Sequence, residues 1–183
     1  MIKRIFDILF AFISLVVLLP IVLASWLVAC VTTNSNGIFL QERIGQYGKP
    51  FTIYKLRTMH FRTNKVSKLG AFFRRYKLDE TPQLLNVLQG NMSVVGFRPD
   101  IAGYYDRLQG ENRKVLELKP GLTSAAAIKY ANEEAILEKQ THPLKYNDEV
   151  LFPDKVKLNL DYYYNRTFWG DIKIIWQTVL ILF

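Results

Sequence analysis

The strongest constraint in this 183-residue chain is an uncharged apolar run, "ILFAFISLVVLLPIVLASWLVACV", at residues 8–31. As a helix it would be about 36 Å long, enough to cross a bilayer. Pro20 interrupts it midway, where a missing amide and a steric clash with the preceding turn predict a kink or break. Lys3 and Arg4 precede the run. Residues 41–78 follow it with ten Lys or Arg against a single acid, Glu42. Because basic flanks are held on the cytoplasmic side, both ends of the run favour the same face. A re-entrant helical hairpin that turns at Pro20 satisfies this, and a proline-kinked single span is the alternative. "LVAC" at residues 27–30 also has the look of a lipoprotein cleavage box, but the run is longer than a signal core and Asp7 is out of place among basic residues.

The basic stretch carries more than the whole net charge of +8, leaving the rest of the chain close to neutral at −1. Focused positive charge attracts phosphates or anionic lipid. Nucleic acid is not an expected partner, since no recognition motif appears and a long apolar segment suits it poorly. Cys30 is the only cysteine and His60 and His142 the only histidines, so there is no zinc constellation. Any metal would be held by oxygen.

Beyond the apolar run, two β-prone stretches at residues 38–43 and 51–57 flank "GQYGKP", which predicts a short β-hairpin. "SKLGAFFRRYK" spaces Leu69, Phe72, Phe73 and Tyr76 as an amphipathic helix, fit for a membrane interface or for packing on a core. Thr81 and Pro82 read as the N-cap and first residue of a helix that Gly90 ends, with Asp79 and Glu80 just outside it. Two further helices broken at "KPG" follow, then a loop between Pro143 and Pro153. The tail sets Phe168, Ile172, Ile175, Trp176 and Val179 at helical spacing, behind the aromatics Tyr162 to Tyr164, again suiting an interface or a core. The expected fold is therefore mostly α with a short β-hairpin. It divides into a membrane segment at residues 1–33 and a cytoplasmic domain at residues 34–183 with interfacial amphipathic helices.

Asp79 and Glu80 are adjacent acids with Arg74 and Arg75 before them and Arg98 after them. Such a pair complements a helix dipole. It also fits a phosphate site, with one carboxylate facing phosphorus and its neighbour ligating a divalent cation. The first reading leaves the cations unexplained. A non-catalytic, membrane-anchored basic module that binds anionic lipids or an assembly partner is the competing view of the whole chain.

The segments "PFTIYKLRTM", "LGAFFRRYKLDETPQLLNVLQGNMSVVGFRPD", "LKPGLTS" and "LDYYYNRTFWGDIKIIWQTV", in that order behind a proline-interrupted apolar N-terminus, closely resemble the bacterial sugar transferases, small monotopic phosphoglycosyl transferases. The resemblance implies transfer of a sugar-1-phosphate from a UDP-sugar to undecaprenyl phosphate, with release of UMP, at the cytoplasmic face of the bacterial inner membrane. It implies that Asp79 is the nucleophile, forming a covalent phosphosugar intermediate, and that Glu80, with Asp79, holds Mg²⁺. Arg74 and Arg98 would contact phosphate or nucleotide, with Lys55 and Arg57 as weaker candidates, and Pro20 would be the re-entrant break. Phe97 stands where the family usually has proline, Thr81 where it has leucine, and Asn91 where aspartate is common. The donor sugar and the oligomeric state are not legible.

Overall fold

The apolar run forms α1 (Ile2–Thr33) in the computed structural model, which describes residues 2–182. Met1 and Phe183 lie outside the described residues. Pro20 lies inside α1 without ending it. The helix is inverted relative to one from a soluble protein: its buried positions are Asp7, Ala11, Ser25, Ala29 and Thr33, while Leu9, Phe12, Ile13, Val16, Val17, Ile21, Leu23 and Leu27 are exposed. Its length and composition suffice to cross a membrane.

α1 ends through local chemistry. The hydroxyls of Thr32 and Thr33 donate back to the carbonyls of Val28 and Ala29, and Asn34 then turns left-handed at φ 51°. Gly37, at φ 72°, must be glycine, because a Cβ there would lie 2.7 Å from Cys30 Sγ and 3.0 Å from the Trp26 carbonyl.

The chain divides into two compact units, one of Met1–Arg43, Pro50–Val94 and Leu182–Phe183, the other of Ile44–Lys49 and Val95–Ile181. In the first, β1 (Ile38–Ile44) and β2 (Pro50–Leu56) make the expected antiparallel hairpin. Then come α2 (Lys68–Arg75), α3 (Gln83–Gln89) and β3 (Ser93–Val95). Ser67 caps α2 by accepting from the Gly70 amide at 2.9 Å. Only Phe73 of its large apolar residues is buried; Leu69 and Phe72 are exposed. Gly90 ends α3 at φ 90°, as its sequence predicts.

Thr81 is not an N-cap, however. Residues 78–80 form a 3-10 turn that runs on into α3, and the Thr81 hydroxyl donates to the Leu78 carbonyl at 2.7 Å instead of accepting an amide. The side-chain cap is not needed there, because Thr81 and Pro82, which join the turn to α3, supply carbonyl acceptors for the first α3 amides: Leu84 donates to Thr81 and Leu85 to Pro82.

The second unit is built on Ile44, Phe97, Tyr105, Val115, Leu116, Leu118 and Val156. Gly96 and Gly121 let two backbones touch: a Cβ on Gly121 would come within 2.1 Å of the Gly96 nitrogen. Here the sequence reading fares less well. Residues 110–117 are 3-10 turns, and the segment after "KP" is strand β4 (Gly121–Thr123) followed by two short helices, α4 (Ala125–Lys129) and α5 (Glu133–Glu138). The region read as a loop between Pro143 and Pro153 is helical: α6 (Pro143–Tyr146), a π turn over Asn147–Leu151, and α7 (Phe152–Asn165). Both prolines occupy first-turn positions, where the missing amide costs nothing. The expected tail helix is α8 (Phe168–Leu182), with Trp169 77 % exposed.

Candidate active site

Asp79 and Glu80 are presented by a backbone reversal. α2 ends at Tyr76, and Lys77 takes a left-handed conformation at φ 55°, unusual for a residue with a side chain. The Glu80 amide donates to the Lys77 carbonyl at 3.1 Å and closes the turn. This sends the Asp79 side chain inward, where it is 8 % exposed, and its Oδ1 is buried without a hydrogen-bond partner. An orphaned carboxylate oxygen is costly, and it marks Asp79 as a candidate for binding a cation or substrate.

The electrostatics agree. Burial, and then the charge of Glu80, push the Asp79 carboxyl up from 3.8 to about 6. Lys55, Lys77 and its own backbone amide pull it back down. Asp79 is thus more basic than an ordinary carboxylate yet still largely ionised at neutral pH, which suits a nucleophile.

Glu80 lies beside Lys55, with Nζ and Oε1 3.1 Å apart and both side chains mostly buried. Lys55 is carried by β2, and β2 is held by Asn86 of α3, which is 0 % exposed. Asn86 accepts from the Tyr54 amide at 3.1 Å and donates to the Thr52 carbonyl at 2.7 Å, mimicking a neighbouring strand.

The structure therefore brings Asp79, Glu80 and Lys55 together, with Lys77 as a cation that sequence reasoning missed. Asn86 was missed as well, although a carboxamide among Leu84, Leu85, Val87 and Leu88 was a signal of a buried polar contact. Arg74 is in the same unit, its Nε donating to Thr58 at 2.9 Å. Arg57 lies over the rings of Phe39 and Phe61, at 5.5 and 6.0 Å, and its Nε is buried without a hydrogen-bond partner. Arg98 belongs to the second unit. There Phe97, 0 % exposed and packed 4.8 Å from the Tyr105 ring, and buried Pro99 fix the backbone on either side of the exposed arginine. Phe97 thus fills a core position and holds Arg98 outward.

Among the described residues no group of three or more His, Cys, Asp or Glu is placed to hold a metal ion. What the site offers is two adjacent carboxylates, one with an unpartnered oxygen. That matches Mg²⁺, which is commonly bound by one or two carboxylates and completed by substrate phosphates.

Comparison with known proteins agrees with the pattern. The family described as bacterial sugar transferase matches residues 1–183. A UDP-glucose:undecaprenyl-phosphate glucose-1-phosphate transferase of Caulobacter vibrioides is 31 % identical over 194 residues, covering 97 % of this chain and 68 % of the relative. The sugar transferase EpsL of Bacillus subtilis, itself uncharacterized, is 33 % identical over 97 % of this chain and 85 % of its own length. A putative undecaprenyl-phosphate N-acetylgalactosaminyl 1-phosphate transferase of Bacillus subtilis is 41 % identical over 122 residues, covering 60 % of this chain and 68 % of the relative. The chain belongs to the bacterial sugar transferase family of enzymes.

Proposed function

We propose that the chain transfers a sugar-1-phosphate from a UDP-sugar to undecaprenyl phosphate by two displacements at Asp79, starting a lipid-linked glycan. The class, a polyprenyl-phosphate sugar-1-phosphate transferase, goes with the family. The observation that supports this mechanism is the buried Asp79 carboxylate, with one oxygen unpartnered, beside the Lys55 and Glu80 pair. In the first step an Asp79 oxygen attacks the β-phosphorus of the donor. The bond to the bridging oxygen breaks, and UMP leaves with that oxygen and its electron pair. In the second, an oxygen of undecaprenyl phosphate attacks the same phosphorus, the bond to Asp79 breaks, and the carboxylate is restored. One site thus serves both substrates in turn.

Lys55 and Lys77 offset negative charge on the diphosphate, while Arg74, Arg57 and Arg98 are the further phosphate- and nucleotide-binding candidates. Glu80 and Asp79 are the residues that would hold Mg²⁺, which would supply charge neutralisation when bound. Burial of Asp79 keeps water away from the acyl phosphate.

The acceptor is a lipid, so the enzyme works at a membrane surface, here the cytoplasmic face of the bacterial inner membrane. α1 is read as a monotopic, re-entrant anchor at residues 1–33, and residues 34–183 as the catalytic domain with α2 and α8 at the interface. Both ends of α1 are tied into the first unit: Asp7 accepts from Ser93 and Val94, and the Thr33 carbonyl accepts from the Phe61 amide. No residue from 12 to 24 is buried. A straight helix would set Asp7 and Ala29 about 33 Å apart, whereas a bend at Pro20 returns both ends to one face and leaves the middle for lipid.

The test is UMP release from a panel of UDP-sugars with undecaprenyl phosphate and Mg²⁺. The wild type should release UMP, and Asp79→Asn should lose at least about a thousandfold in turnover, as expected for removal of a nucleophile. Near-normal turnover by Asp79→Asn would move the nucleophile elsewhere.

A further inference from the structure

Two charged residues at the start of α1 make contacts that the transfer mechanism does not use. Arg4 donates to the carbonyls of Val87, at 2.7 Å, and Leu88, at 3.0 Å. These belong to the last turn of α3, where the helix dipole is negative and the Val87 carbonyl also accepts from the Gly90 amide at 3.1 Å, so Arg4 supplements the C-cap from another helix. Asp7 is 2 % exposed and accepts from Ser93 Oγ at 2.8 Å and from the Val94 amide at 3.1 Å. Arg4 and Asp7, three residues apart on one face of α1, therefore grip the end of α3 and the start of β3.

What they grip leads directly to the reacting carboxylate. α3 has only seven residues, and its first amides donate to the carbonyls of Thr81 and Pro82, which follow directly on the turn that carries Asp79 and Glu80. Asn86, next to Val87, holds the β2 backbone on the N-terminal side of Lys55, and Lys55 holds Glu80. A shift of α3 would therefore move the nucleophile's turn and, through β2, the cation beside it. Each link is a buried or part-buried hydrogen bond or a continuous backbone, with no flexible segment between them.

The geometry points to Arg4 and Asp7 as positioning residues for the transfer reaction, through which the apolar helix sets the catalytic turn. The inference rests on Asp79 being the nucleophile. A purely stabilising role would change how much protein is active; a positioning role changes how fast each active molecule reacts. A 1 Å misplacement at a reacting centre can cost on the order of a hundredfold.

The experiment uses the full chain in nanodiscs with anionic lipid, mixed with donor in the absence of undecaprenyl phosphate. A covalent mechanism gives a burst of UMP whose amplitude counts active sites and whose rate reports the first displacement. Arg4→Ala should keep the amplitude of its folded fraction while the burst rate falls roughly ten- to a hundredfold, and Arg4→Lys, which keeps the charge but not the two-pronged donor, should recover part of it. Asp7→Asn, which can accept one of the two hydrogen bonds, should slow the burst less than Arg4→Ala and serves if that variant does not fold. Burst rates within twofold of wild type in the folded variants would overturn the inference, as would a smaller amplitude at an unchanged rate. No burst from the wild type, or an equal burst from Asp79→Asn, would instead overturn the covalent reading and this inference with it.

Discussion

Asp7 and Asp79 are both buried aspartates of the first unit, and they are treated oppositely. Asp7 has a hydroxyl on one oxygen and an amide on the other. Asp79 has one oxygen with nothing to bind it, a neighbouring acid, and a carboxyl pushed up to about 6 by burial. A carboxylate whose two oxygens are satisfied fastens one element to another. A carboxylate left incomplete keeps free energy that a substrate or a cation can release on binding. Burial does not distinguish these two aspartates; the completeness of their hydrogen bonding does.

The comparison can be broken most severely at Asp7. Asp7→Ala would strand the Ser93 hydroxyl and the Val94 amide in a buried site, and we expect a loss of about 3–5 kcal/mol of stability, read by denaturation of the protein in detergent or nanodiscs. A loss near zero would mean that the fastening is dispensable.

At Asp79 the sign reverses. Burial raises its carboxyl from 3.8 to about 6, so the folded protein binds that proton more tightly than the unfolded chain. Below about pH 4 both states hold the proton and the side chain carries no penalty; between 4 and 6 the penalty grows; above 6 it is complete, at roughly 3 kcal/mol. Asp79→Asn should therefore melt higher than the wild type at pH 8 in metal-free buffer, with the difference vanishing near pH 4. A variant that melts lower at pH 8 would show that the carboxylate is satisfied after all.

Lys55 provides the smallest and sharpest test. Its charge pulls the Asp79 carboxyl down. Lys55→Met removes that charge and leaves Glu80's charge uncompensated beside Asp79, so the acid limb of the pH profile for UMP release should move up by about half to one pH unit. An unmoved or lowered limb would assign that limb to another group.

Much of this architecture was legible because it depends on local signals. The hairpin at residues 38–44 and 50–56, the helix that Gly90 stops, and the aromatic tail helix all follow from period and punctuation that neighbouring residues supply. The helical character of residues 143–151 is hidden because two prolines bracketing a stretch predict a loop, while in the structure Pro143 and Pro153 occupy first-turn positions of helices. The 3-10 turns of residues 110–117 were hidden because Val115, Leu116 and Leu118 are chosen by the core of the second unit and not by a helical face. At the candidate site, the acid pair and Lys55 could be found from sequence. The left-handed Lys77, the strand-mimicking Asn86 and the grip of Arg4 could not, because each depends on backbone geometry or on a partner distant in the chain.

The distance between Arg4 and its partners has a consequence for how the protein is made. Val87 and Leu88 leave the ribosome 83 and 84 residues after Arg4. At about 5–20 residues per second, that interval is roughly 4 to 17 s. Throughout it Arg4 has no α3 carbonyls to meet, and the large apolar side chains of α1, exposed even in the finished fold, have no protein cover. If α1 is the anchor proposed above, the nascent chain commits it to lipid first, and the turn that carries Asp79 is assembled afterwards onto a helix already in place. On that reading biosynthesis installs the anchor before the turn, and a polypeptide that misses the membrane lacks the helix whose Arg4 and Asp7 hold α3 and β3.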